Sequence, residues 1–65
     1  MAHMHKLTST EQQLSAEASK RLGFEVTVYE ENGRWICDPD DKNKQMGFGD
    51  TAAEAAENCH RENAK

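Results

Sequence analysis

The sequence predicts an α+β domain in the order helix, strand, strand, short strand, helix, with a short antiparallel sheet and both helices packed on one of its faces. Three observations carry this reading. Apolar residues recur at helical spacing in two stretches, each opened by a capping motif. Between them the period switches to two around Asn32-Gly33. A Gly47-Phe48-Gly49 run then leads into Asp50-Thr51 and an alanine-rich segment.

The chain has 65 residues, which fits one domain. Met1-Ala2-His3 read as an expression scar ahead of a natural start at Met4. That leaves 4–65 as the domain and sets His3 and His5 aside as ligands. A chain this small buries little core, so pairing with a second copy, a homodimer, is an expected aid to stability.

The first helix is predicted over 9–22. Thr8 with Glu11, or Ser9 with Gln12, makes a capping box that satisfies amides left unpaired at a helix start. Leu7 stands where a hydrophobic staple residue would. Leu14, Ala18 and Leu22 form a narrow apolar stripe, and Glu11, Gln13, Glu17, Lys20 and Arg21 are expected in solvent. Gly23 supplies a left-handed C-terminal residue.

A strand follows over 24–30. Phe24, Val26 and Val28 alternate with Glu25, Thr27 and Tyr29. Asn32-Gly33 suits a type I′ turn, because both central residues need positive φ. That turn sets Glu31 opposite Arg34, Glu30 opposite Trp35, Tyr29 opposite Ile36 and Val28 opposite Cys37. Trp35 and Cys37 then join Phe24, Val26 and Val28 on the core face. Tyr29 and Ile36 pair on the other face, which is left uncovered if both helices share the first.

Pro39 cannot donate to a ladder and ends the second strand. A polar loop runs over 38–44, and a short third strand is predicted over 45–49 with Met46 and Phe48 pointing inward. Thr51 with Glu54 opens the last helix as a capping box, with Asp50 as an alternative cap. Alanine has the highest helix propensity, and Ala52, Ala53, Ala55 and Ala56 follow. Ala52, Ala56, Cys59 and Asn63 share a stripe small enough to sit close to a sheet, while Glu54, Glu57, Arg61 and Glu62 face water.

Charge and composition exclude several function classes. Eight Lys and Arg stand against twelve Asp and Glu, for a net charge of -4. Duplex affinity comes mainly from cations on phosphates, so nucleic-acid binding is disfavoured. No apolar run is long enough to span a bilayer, and no secretory segment is evident. Cys37 and Cys59 make no disulfide framework and fit a reducing cytoplasm as core thiols.

Catalytic and metal constellations do not assemble. There is no Cys-x-x-Cys or helical His-x-x-x-His pair, and Asp38, Asp40 and Asp41 lack the spacing of an EF-hand loop. Gly47-Phe48-Gly49 before a helix could cradle phosphate, but Asp50 and Glu54 would repel it. His60 suits the negative end of the last helix better than it suits a base, since nothing places a nucleophile beside it. The expectation is a protein without enzymatic activity, cofactor or metal.

Two resemblances attach to these residues. Tyr29-Glu30-Glu31-Asn32-Gly33-Arg34-Trp35, then Pro39-Asp40, Gly49-Asp50-Thr51 and Glu54-Ala55, resemble the small partly RNase-H-like module of HicB antitoxins over about half of the chain. That resemblance implies a protein-binding module that blocks a toxin or nuclease. The order of elements also resembles a double-stranded RNA-binding domain, with Gly47 to Thr51 where that family turns into its last helix. That family places lysines at the helix start to grip phosphates, and Ala52, Ala53 and Ala56 stand at those positions here.

The expected role is protein binding in the cytoplasm, as an antitoxin-like module or a phage or mobile-element inhibitor of a host protein. A degenerate RNA-binding domain is the alternative. The expected interface is Thr27, Tyr29, Arg34 and Ile36 on the uncovered sheet face, with Asp40 and Asp41 contributing acidic charge. Acids along the hairpin, the loop and the start of the last helix suit a basic partner such as a nuclease or toxin.

Overall fold

The computed structural model describes residues 8–64; the expected domain start, Leu7, His3 and His5 lie outside them. The elements in chain order are α1 (Ser9–Leu22), β1 (Val26–Glu31), β2 (Arg34–Pro39), β3 (Gly47–Gly49) and α2 (Ala52–Asn63). The strands form one antiparallel sheet in the order β1-β2-β3. Class and order are those the sequence predicts.

Local chemistry accounts for most boundaries. Thr8 caps α1: its hydroxyl accepts from the Glu11 amide at 3.1 Å, and Glu11 Oε1 accepts from the Thr8 amide at 2.8 Å. Gly23, at φ 87, ends the helix and donates to the Ser19 carbonyl at 2.9 Å. Asn32 and Gly33, at φ 55 and 80, make the tight turn. The register is the expected one, from Glu31 opposite Arg34 to Val28 opposite Cys37. At α2 the box is staggered from the expected one. Thr51 accepts from the Glu54 amide at 3.1 Å, but Glu54 Oε1 takes the amide of Asp50, at 2.7 Å, rather than that of Thr51.

The core lies between the sheet and the helices. Ala18 of α1, Val26, Val28 and Cys37 of the hairpin, and Ala55, Ala56 and Cys59 of α2 are buried together. Leu14, Leu22, Phe24, Trp35 and Ala52 pack around them, half-buried. Lys44 Nζ lies over the Phe24 ring, 4.6 Å from its centre.

The third strand corrects one expectation. Met46 and Phe48 point outward, 39% and 44% exposed, while Gly47 is buried. The reason is the close seat of α2 on β3. A Cβ on Gly47 would run into the Ala55 carbonyl oxygen and the Cys59 backbone, and one on Gly49 would lie 2.8 Å from the Ala55 amide nitrogen. The strand must turn its glycines to the helix, so Phe48 takes the other face.

Glu11 corrects another. Expected in solvent, it is 6% exposed. Its Oε2 accepts from the Glu30 amide at 2.9 Å. Ser15 Oγ accepts from the Val28 amide at 2.7 Å, and Ser19 Oγ from the Val26 amide at 2.9 Å. These three amides belong to the edge of β1 that faces away from β2. Four residues of helix rise about 6 Å and two residues of strand about 6.6 Å, so side chains four apart on α1 meet every second residue of β1. On the far edge, Asn58 Nδ2 donates to the Phe48 carbonyl at 2.6 Å. Asn63 accepts from the Gln45 amide at 2.8 Å and donates to its carbonyl at 2.9 Å. Helix side chains therefore hold the outward amides of β1, one carbonyl of β3 and the backbone of Gln45 just before it.

The helix-free sheet face as a candidate interface

Strand alternation sends Thr27, Tyr29 and Glu31 of β1 to the side away from the helices, together with Arg34, Ile36 and Asp38 of β2. The pairings Tyr29–Ile36 and Ile36–Phe48 set these three side chains in one row across all three strands. Four expected interface residues, Thr27, Tyr29, Arg34 and Ile36, thus lie on one face.

Ile36 differs from the expectation of an exposed β-branched residue. It is 7% exposed and stands between Tyr29 and Phe48 in the row. Tyr29 is half-buried, and Phe48 is the exposed aromatic of the face. Met46 is exposed just before β3, two residues from Phe48. Phe48 and Met46 were missed as surface residues. It is the close seat of α2 on Gly47 and Gly49 that turns the aromatic between them away from the helix.

The face is acidic as well as aromatic. Burial raises the ionisation point of the Tyr29 phenol, and the carboxylates of Asp38 and Glu31 raise it further. Arg34 is the cation of the face, paired across the ladder with Glu31. Near it an open depression is lined by Glu31, Asn32, Arg34, Ile36 and Phe48.

Asp40 and Asp41 are placed differently from the other four. They lie in the loop after β2, at the end of the hairpin opposite the Asn32-Gly33 turn. The Asp40 amide continues the ladder to the Glu25 carbonyl at 3.0 Å. Asp41 Oδ1 accepts from the Asn43 amide at 2.9 Å and so shapes the loop.

Other reactive groups stand apart from this face. Cys37 and Cys59 are free and buried in the core. Burial pushes the Cys37 thiol up to about 12, with Cys59 and Asp38 adding to the effect. His60 is exposed in the last turn of α2. Between the helices lies a cleft of about 120 Å³ floored by Ala18, Val28 and Ala56. Among the described residues, no group of three or more His, Cys, Asp and Glu is placed to hold a metal ion. No helix among them is long and apolar enough to cross a membrane.

Comparison with protein-family models, with curated proteins and with solved structures returned no match.

Proposed function

We propose that this chain is a non-enzymatic protein-interaction module, of the antitoxin or phage-inhibitor type, which binds a host protein through the helix-free face of its sheet. The observation that carries the reading is the Tyr29–Ile36–Phe48 row, an aromatic and aliphatic strip at the centre of the face that neither helix of the described residues covers. Such strips, rimmed by polar groups, mark protein-binding surfaces. The antitoxin type is suggested by the sequence resemblance of Tyr29 to Trp35, Pro39-Asp40 and Gly49 to Thr51 to the HicB module.

The test is capture from a host lysate by the wild-type chain and by a Tyr29→Ser/Phe48→Ser variant. Both proteins should give the same far-UV circular dichroism, and a partner retained by the first should be lost by the second. Equal retention by both would overturn the reading.

The helix, three-strand, helix order favours a second reading, a degenerate double-stranded RNA-binding domain in the cytoplasm. Its test is a gel-shift titration with duplex RNA at low salt, where phosphate contacts are strongest. A shift that fades as salt rises supports it. A chain that leaves the duplex unshifted overturns it.

A further inference from the structure

We infer that the helix-free face takes an arginine-bearing loop of a cationic protein, with guanidinium groups lying along the Tyr29–Ile36–Phe48 row and reaching the carboxylates of Glu31 and Asp38. This rests on the interaction reading above and names the chemistry of the partner.

The sheet edges narrow the mode of binding. A peptide that extends a sheet needs free backbone groups along an edge strand. Here Glu11, Ser15 and Ser19 hold the outer amides of β1, and Asn58 and Asn63 hold backbone groups along the β3 side. The edge of β1 is thus taken and β3 offers only three residues, so the face, engaged through side chains, is the larger surface open to a partner.

The face then selects among side chains. Its centre offers the rings of Tyr29 and Phe48 on either side of Ile36. Glu31 and Asp38 share that side of the sheet, and Arg34 is the cation of its strands among the described residues. A planar, weakly hydrated guanidinium stacks on rings and forks onto carboxylates, which a compact ammonium does less well. Lys44 over Phe24 already forms a cation–ring pair elsewhere in the chain. A second copy would bring the Glu31 and Asp38 carboxylates of two faces together, so a cationic partner matches the charge of the face better.

The test is an NMR titration of the ¹⁵N-labelled full chain with three probes: an arginine octapeptide, a lysine octapeptide and an uncharged leucine–serine octapeptide. The arginine peptide should shift the amides of Thr27, Tyr29, Ile36, Asp38 and Phe48, and bind more tightly than the lysine peptide. Glu31→Gln/Asp38→Asn should weaken it about threefold to tenfold, the range of one or two exposed ion pairs. Glu54→Gln/Glu57→Gln should leave its affinity unchanged. Equal binding of the lysine peptide, or shifts spread equally over α2, would overturn the inference. Shifts of the face with the uncharged peptide alone would leave the interaction surface standing and remove its cationic partner. Concentration-dependent shifts without peptide would assign the face to a second copy and likewise overturn the inference. A face silent to all three probes would overturn it too, and the lysate capture then judges the interaction reading by itself.

Discussion

The Ser15 hydroxyl accepts from the Val28 amide at 2.7 Å and lies 3.2 Å from the Val28 carbonyl oxygen, while the Glu11 carbonyl, at 2.7 Å, is the nearer acceptor for its proton; one helix side chain thus covers the outward side of an edge-strand residue. Ser19 does the same for Val26, at 2.9 and 3.2 Å. A strand edge left open is a template for pairing with another chain. Here α1 closes it with hydroxyls, and Glu11 completes the series at Glu30.

Ser15→Ala should therefore cost more than an exposed serine normally does. It strands the Val28 amide beneath α1, a loss of about 1–3 kcal/mol for an unsatisfied buried donor. Ser9→Ala, at an exposed position in the first turn, should change stability by less than about 0.5 kcal/mol. Urea midpoints of the two variants check this, and equal midpoints would remove the bonding role of Ser15.

Gly47→Ala should be the most damaging small substitution in the chain. Its methyl would enter space held by the Ala55 carbonyl and the Cys59 backbone, and a helix backbone cannot swing aside as a side chain can. A loss of about 3 kcal/mol or more follows, at the upper end of overpacking costs. Gly33→Ala meets no atom within 4 Å and is strained only by its φ of +80. It should cost about 1–2 kcal/mol. Thermal unfolding of both variants ranks them; the reverse order would mean that α2 sits further from β3.

Cys37 should make the fold sensitive to high pH. Its thiol is raised from 9.0 to about 12, chiefly by burial. Below about pH 9 the folded and unfolded chains both hold this proton, and its contribution to stability is complete. As pH rises from there toward 12, the unfolded chain releases the proton while the folded chain keeps it. Stability therefore falls, by about 1.4 kcal/mol per pH unit for one thiol at the limit. Cys37→Ala should be less stable than wild type at pH 8 but should lose less between pH 9 and 10.5. Equal slopes in urea titrations at these pH values would show that the thiol ionises freely in the folded chain.

The two apolar neighbours Ile36 and Phe48 should respond in opposite ways. Ile36 is 7% exposed, so Ile36→Ser should cost about 2–4 kcal/mol, as large-to-small substitutions at buried sites do. Phe48 is 44% exposed, so Phe48→Ser should cost about 1 kcal/mol or less. Chemical denaturation separates them, and a larger loss for Phe48→Ser would place its ring against the core.

Sequence alone determined the elements governed by local chemistry. A cap at Thr8 or Ser9, the Gly23 stop and the Asn32-Gly33 turn depend on residues a few positions apart, and the turn in turn dictates the hairpin register and the shared face of Thr27, Tyr29, Arg34 and Ile36; the structure chose Thr8. Tertiary structure decided the rest. The phase of β3 was not legible because three residues, two of them glycine, carry too little alternation to define a face; the seat of α2 against Gly47 defines it. Glu11 reads as a surface acid because its partner, the Glu30 amide, lies nineteen residues away on a strand edge that exists only once the sheet has formed. Ile36 reads as exposed until Phe48 arrives beside it from β3, for a row across three strands is a property of the assembled sheet.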